Sequence, residues 1–322
     1  MKNSNDKLIL ILSNSQDATC DYFEKFISTA NAKCARLNTD FSPGELSVFF
    51  SSTSNVVITL NGDKIKKDDI KCVWNRRPEK IHAGNKGESA FDDHYRDEWR
   101  HSIDAFFKQI DPKLWVNYPP HNAAALSKIE QIVRANKLGI ITPKTLLTQN
   151  VQDVLQFTNE CTGSVVVKPV SHGYICTDEH VHNIYTCNLD INTCNFENLA
   201  NCPTLFQEKI TKLFDVRINY IDGLFESVKL LYNENGNQRL DIRRNNMDGV
   251  KYEPIDLPSG VAKKLSKLIN SYKLRFAAVD MCLSVDGRWI FFEINPNGQW
   301  AWLDILGATN FSDKLLHCML NP

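Results

Sequence analysis

Residues 276–285 and 288–294 are runs of strand-forming side chains separated only by Asp286-Gly287, and no other segment constrains the fold as tightly. Asp-Gly between two such runs signals a hairpin, because a two-residue type I′ turn needs positive φ at both central positions. A turn closed by Val285 and Arg288 fixes the register and places Asp280 directly opposite Glu293. Cross-strand partners have Cβ atoms about 4.5–5.5 Å apart, where two like charges repel. Asn295, two residues on, points to the same face. Ile290, Phe291, Phe292 and Ile294 surround the pair, which argues against a solvated polar face, since buried carboxylates are rarely unpaired. Two carboxylates and an amide oxygen form a donor set for a hard cation such as Mg²⁺, with water and phosphate completing the octahedron.

The same reading applied upstream predicts that Asp222-Gly223 joins 215–221 to 224–232, and that Asn235-Gly236 joins that strand to 238–243. Two Asp-x-Arg steps, Asp215/Arg217 and Asp241/Arg243, then lie level on one sheet face with a single strand between them. Guanidinium groups there suit a carboxylate or phosphate, although surface Asp–Arg pairs of little consequence are the commoner case. Lys229 fits this register poorly, so a bulge is expected along the row.

Val165-Val166-Val167-Lys168-Pro169 is a buried-type strand ending in a lysine beside a loop that contains Gly173. A lysine so placed can meet phosphate oxygens, although strand-end lysines usually just reach water. No GxxxxGK[ST] and no GxGxxG occurs in the chain, which disfavours P-loop and dinucleotide-binding sites. No G-x-S-x-G is present either, removing a nucleophile elbow. Cys176, His180, His182 and Cys187 do not have a structural-zinc spacing and read as an incidental set in a polar loop.

With 322 residues, 37 Lys+Arg and 38 Asp+Glu, the formal net charge of −1 argues against a phosphate-tracking nucleic-acid binder. No apolar run reaches the ~18 residues of a membrane span, and residues 8–12 do not make a secretory signal. Ten scattered cysteines in a chain this long read as reduced thiols, which places the protein in the cytoplasm.

The fold class is α/β, with α+β lobes after an α/β opening. A strand over 7–13, a helix over 17–32, strands over 48–60 and 71–74 and a helix over 92–110 form that opening. Tyr118-Pro119-Pro120 is the clearest linker, giving expected units of 1–118, 119–205 and 206–322. Asn122 is expected to cap a helix ending at Gly139, with Leu126, Ile129 and Val133 as its apolar stripe and Lys128 off it. Residues 177–202, polar and Asn-rich, read as a loop or flap.

The order of these pieces resembles the ATP-grasp superfamily. The resemblance is carried by Lys128, Lys168 in Val-Val-Lys-Pro, Gln207-Glu208-Lys209-Ile210, Asp280, and Phe292-Glu293-Ile294-Asn295-Pro296-Asn297-Gly298. Val73-Trp74-Asn75-Arg76-Arg77-Pro78, Asn295-Pro-Asn-Gly-Gln-Trp300 and Asp241-Ile242-Arg243 are similar to its peptide-modifying branch, the graspetide synthetases. Two features depart from that pattern: Ile242 stands where the branch usually has Trp, and the phosphate loop has only Gly173.

The resemblance implies an ATP-grasp fold behind a pre-ATP-grasp domain and a carboxylate ligase using ATP and Mg²⁺. It implies that Lys128, Lys168 and Gly173 meet the phosphates, that backbone around Gln207–Ile210 reads adenine, and that Asp280, Glu293 and Asn295 hold the metal. Arg217 and Arg243, with Asp215 and Asp241, would orient the reacting carboxylate. Arg76 and Arg77 would bind substrate or anchor the N-terminal part on the core. The expected partner is a ribosomally made precursor peptide with a leader and an acidic core, and this branch often forms homodimers. The alternative within the superfamily is a ligase that adds an external amino acid or amine.

Overall fold

The computed structural model describes residues 7–81, 90–171, 173–176, 181–232 and 239–322. The chain opens with β1 (Leu8–Ser13), α1 (Ala18–Thr29) and β2 (Cys34–Asn38). Asp17 caps α1 by accepting from the Thr19 and Cys20 N–H groups, and the helix buries Thr19, Cys20, Phe23 and Ile27 at helical spacing. A hairpin sheet follows, made of β3 (Leu46–Phe49), β4 (Val57–Leu60) and β5 (Asp63–Ile65), so residues 48–60 form two strands rather than one. With β6 (Ile70–Asn75) and β7 (Trp115–Val116), the first two strands make a four-stranded parallel sheet in the order β2-β1-β6-β7, covered by α2 (Ala90–Phe107).

After α3 (Pro119–Ala124) and α4 (Lys128–Lys137) comes an antiparallel sheet in the order β12-β9-β13-β8. It comprises β8 (Thr145–Thr148), β9 (Val165–Lys168), β12 (Cys187–Asn188) and β13 (Thr204–Glu208), with α5 (Val151–Glu160) between the first two. A small hairpin, β10 (Tyr174–Cys176) and β11 (Val181–Asn183), projects beside it. Part of the expected 177–202 loop is therefore strand, while residues 177–180 lie outside the described ones.

The last sheet is antiparallel, in the order β16-β15-β14-β17-β18. Its strands are β14 (Lys212–Ile221), β15 (Leu224–Leu231), β16 (Lys251–Pro254), β17 (Phe276–Ser284) and β18 (Trp289–Asn295), with α6 (Ser259–Ser271) behind and α7 (Ala301–Ile305) and α8 (Phe311–Leu320) closing the chain. One core cluster runs through both halves, joining Ile9, Phe23 and Trp74 to Phe276, Trp300 and Phe311. Among the described residues no helix is long and apolar enough to cross a membrane, and the nine cysteines whose side chains are described are free thiols.

Three expectations change in detail. Helix α4 starts at its own cap, Ser127, and buries Gln131, Ile132 and Ala135, while Leu126 and Val133 are exposed. Lys128, three residues before Gln131, therefore begins the buried face instead of lying off it. The Asp286 turn has three residues, with the Ser284 N–H donating to the Arg288 carbonyl (3.0 Å) and positive φ at Gly287 (82°) but not at Asp286. A bulge at Phe292 then takes up the extra residue, so Asp280 still faces Glu293.

The third change is at residues 239–243, which do not form the expected strand; residues 233–238, with the expected Asn235-Gly236 turn and the start of that strand, lie outside the described ones. The neighbour of β15 is β16, which puts Glu253 beside Lys229, and their charged ends are 3.6 Å apart. No bulge is needed between β14 and β15, which keep one register from Asp215 to Ile221. Asp241 folds its own segment into a turn by accepting the Arg243 N–H at 3.1 Å, and a local bond of that kind competes with a strand ladder. The two Asp-x-Arg steps are thus not level rows of one sheet.

Candidate active site

Val228, Arg217, Asp280 and Glu293 follow one another across β15, β14, β17 and β18 in a single row. Arg217 Nη1 donates to both Asp280 carboxylate oxygens, at 2.9 and 3.0 Å. On the far side, Lys128 Nζ stands 3.4 Å from Glu293 Oε2 and 3.3 Å from the Pro169 carbonyl. Helix α4 delivers this lysine because Gln131 is clamped on the free edge of β18, donating to the Ile294 carbonyl (2.8 Å) and accepting its N–H (2.7 Å). Asn295 ends the strand, its side-chain oxygen accepting the Asn297 N–H at 3.0 Å.

Lys168 is different. Among the described residues its direct partners are neutral: the Gln207 side-chain oxygen at 2.7 Å and the Phe292 ring, whose centroid is 4.6 Å from Nζ. The bulge at Phe292 is what sets that ring one position out of the regular pleat. Burial without a contacting carboxylate pushes the ammonium down to about 8, partly opposed by Glu293. Gln207, itself buried, is oriented by Thr145 Oγ1 at 3.1 Å. The N–H groups of Glu208 and Lys209 are engaged by the carbonyls of Lys144 and Ser164, both at 2.9 Å. Among the described residues the Ile210 N–H has no backbone partner, so it is the open donor of this segment.

Arg243 forks onto its own Asp241, with Nε at 2.9 Å and Nη2 at 2.7 Å. Asp241 also accepts the Thr186 N–H at 3.1 Å, and these donors, Arg243 foremost, hold its carboxyl down at about 2 against the effect of burial. Arg243 Nη1 lies so near Gly173 that a Cβ there would sit 3.3 Å away, which ties the β10–β11 hairpin to the Asp241 turn. Asp215 is buried against Lys212 (2.6 Å), and burial raises its carboxyl despite that ammonium. Arg217 and Asp280 therefore meet directly, whereas Asp215 and Asp241 each hold a cation of their own.

The donor set fits Mg²⁺. Among the described residues no three histidines, cysteines or carboxylates converge, so no all-protein cage exists. Asp280 and Glu293 are about one-third exposed and offer oxygen only, which suits a hard cation that keeps water and phosphate in its shell.

A family model described as the MvdD pre-ATP grasp domain matches residues 8–122. The macrocyclase MdnC from Microcystis aeruginosa MRC, solved with precursor peptide MdnA, is 26% identical, covering 97% of this chain and 99% of its own, with TM-score 0.82. Over nearly its whole length the chain is similar to the ATP-grasp ligases of the graspetide branch. Two further structures share the fold of this ATP-grasp ligase. One is the Chryseobacterium gregarium RiPP-associated ATP-grasp ligase in complex with ADP and a leader and core peptide, at 24% identity, TM-score 0.82 and coverage of 98% and 96%. The other is the ATP-grasp ligase PsnB with a phosphomimetic variant of its minimal precursor, Mg and ADP, at 18% identity, TM-score 0.75 and 98% coverage of both chains. Comparison with curated protein sequences finds no match.

In this ATP-grasp ligase the two branch-like motifs meet in space. Trp74 and Trp300 lie with ring centroids 6.5 Å apart, and Arg76 reaches the carbonyls of Asn297 and Gly298. Arg76 is buried and Arg77 exposed, so the pair divides, with Arg76 as the anchor. Asp17, Asn117, Gln131 and Thr186 escape a reading of the sequence, because each acts through a partner distant in the chain. Only Gln131 leaves a trace, as a polar residue three positions from Lys128 on the buried helix face.

Proposed function

We propose that this ligase activates Asp or Glu side chains of a ribosomally made precursor peptide as acyl phosphates. It then joins them to Thr or Ser hydroxyls or Lys amines of the same peptide, closing ω-ester or ω-amide rings. The row Arg217–Asp280–Glu293, with Lys128 and Lys168 beside it, is the observation that carries this reading, because it puts a hard-cation donor set next to cations suited to phosphate and carboxylate. Of the similar ligases, MdnC was solved with a precursor peptide and the Chryseobacterium gregarium ligase with a leader and core peptide.

ATP is the co-substrate. Lys168, with no contacting carboxylate among the described residues, contacts its phosphates together with Lys128, and the Ile210 N–H reads the adenine edge with the backbone around Gln207, Glu208 and Lys209. Gly173 leaves room for Arg243 beside the phosphates. Asp280, Glu293 and Asn295 would hold Mg²⁺, which when bound neutralises charge on the transferring phosphoryl group. Arg217 and Arg243 orient the substrate carboxylate, with Asp241 fixing the Arg243 fork and Asp215 keeping Lys212 in place.

A carboxylate oxygen of the peptide attacks the γ-phosphorus and ADP leaves. A hydroxyl or amine then attacks the acyl carbon, gives up its proton, and expels inorganic phosphate. Acyl phosphates hydrolyse readily, so the β10–β11 hairpin, tied to Arg243, serves to exclude water.

The test is to add hydroxylamine during turnover with an acidic precursor peptide and ATP. Trapping as a hydroxamate on a peptide Asp or Glu, lost in Glu293→Gln, supports acyl-phosphate chemistry. ADP release without any trapped or linked peptide would overturn it, and addition of an external amine to the peptide would favour the ligase that joins a separate amino acid.

A further inference from the structure

Every backbone carbonyl from Ile294 to Gln299 is held, and mostly by side chains from elsewhere in the chain. Gln131 donates to Ile294 (2.8 Å), the Gly298 N–H to Asn295 (3.2 Å), and Asn117 Nδ2 to Pro296 (3.2 Å). Arg76 Nη1 donates to both Asn297 (2.5 Å) and Gly298 (3.3 Å), and Arg217 Nη2 to Gln299 (2.8 Å). Arg76 comes from the end of β6 and Asn117 from just after β7, both in the N-terminal part of the chain. The loop they hold follows β18, which ends at Asn295, two residues after Glu293.

The arginine is not a surface anchor. Its side chain is 1% exposed, and so is that of Asp17, whose carboxylate lies 3.1 Å from Arg76 Nε. A buried guanidinium needs a counter-charge and acceptors for its donors. Asp17 supplies the charge while capping α1, and the Asn297 and Gly298 carbonyls supply the acceptors. The loop is tightly seated as well: a Cβ on Gly298 would overlap that of Ala278 and come within 3.1 Å of Arg217 Nη2.

We infer that Arg76, held by Asp17, is a positioning residue that sets the conformation of the loop after Glu293 and so presents Glu293 and Asn295 to the metal–nucleotide complex. The N-terminal domain thereby completes the metal site without touching it. The inference rests on the proposed metal role of these residues.

The test uses Arg76→Lys and Asp17→Asn. Lysine keeps the charge but cannot reach Asp17 and two carbonyls together, and asparagine keeps the cap of α1 while removing the counter-charge. ADP affinity is measured with Mg²⁺ and with EDTA, alongside unfolding midpoints and turnover. The expected result is unchanged metal-free ADP affinity in folded variants, with the Mg²⁺-dependent tightening reduced about fivefold or more and kcat falling while KM for peptide holds. Wild-type tightening in both variants overturns the positioning role, as does an equal loss with and without metal. If one variant fails to fold, the other decides. A wild-type protein whose ADP affinity ignores Mg²⁺ would overturn the metal reading itself, and this inference with it.

Discussion

Arg217 lies directly across from Asp280, between β14 and β17, and one of its nitrogens serves both carboxylate oxygens. With Lys128 on Glu293, each carboxylate of the proposed metal site is balanced by a cation before any ligand arrives. A metal and a peptide carboxylate binding together would relieve both demands, since the cation takes Asp280 and the guanidinium takes the substrate.

Arg217→Ala and Arg243→Ala are each expected to lower cyclisation by about 10²-fold or more, the loss typical of a preorganised charge donor, with Mg²⁺-dependent ADP binding retained in Arg243→Ala and weakened in Arg217→Ala, which also frees Asp280 and the Gln299 carbonyl. Steady-state kinetics beside ADP titrations check this. Cyclisation rates unchanged in Arg243→Ala would remove its role in orienting the substrate.

Much of this site is legible in the sequence, for uneven reasons. The pairing of Asp280 with Glu293 follows from alternation and a turn signal, but it survives only because the Phe292 bulge offsets a turn one residue longer than Asp-Gly suggests. Asp222-Gly223 behaves as expected, with positive φ at both residues. At 239–243 the local Asx-type bond of Asp241 outcompetes the strand, and no count of alternating residues reveals that. Lys128 is misplaced by a reading that lets apolar residues alone define a helix face, when buried Gln131 belongs to it.

Lys168 gives a proton-linkage signature. Its ammonium sits at about 8, so near that pH about half the population is neutral. Phosphate nearby favours the charged form, so nucleotide binding at pH 8 should take up as much as about half a proton, falling toward none near pH 6.5. Calorimetry in buffers of differing ionisation enthalpy reads this directly. Lys168→Arg, permanently charged, should abolish the uptake.

Gly298→Ala should displace the loop, because its Cβ overlaps Ala278. The expected cost is about 1–3 kcal/mol of stability, as for overpacking elsewhere, with Mg²⁺-dependent ADP binding weakened. Ala278→Gly in the same chain should restore much of both. Thermal unfolding and ADP titration of the single and double variants form the check.

Asp241 makes an acid-side prediction. Its carboxyl is depressed to about 2 in the folded chain from an ordinary value near 4. Its contribution is therefore complete above about pH 4 and lost as pH falls toward 2. Asp241→Asn should flatten that part of the pH–stability curve and speed proteolysis around 181–188, where the Thr186 N–H loses its charged acceptor.

The most direct measurement is the intact mass of an acidic, Thr- and Glu-rich precursor peptide, such as one encoded beside this gene, after incubation with the protein, ATP and Mg²⁺. Loss of one water per link, with ADP formed in step and nothing lost with Glu293→Gln, is the predicted result. A gain in mass, or an unchanged peptide while ADP accumulates, would contradict intramolecular ligation.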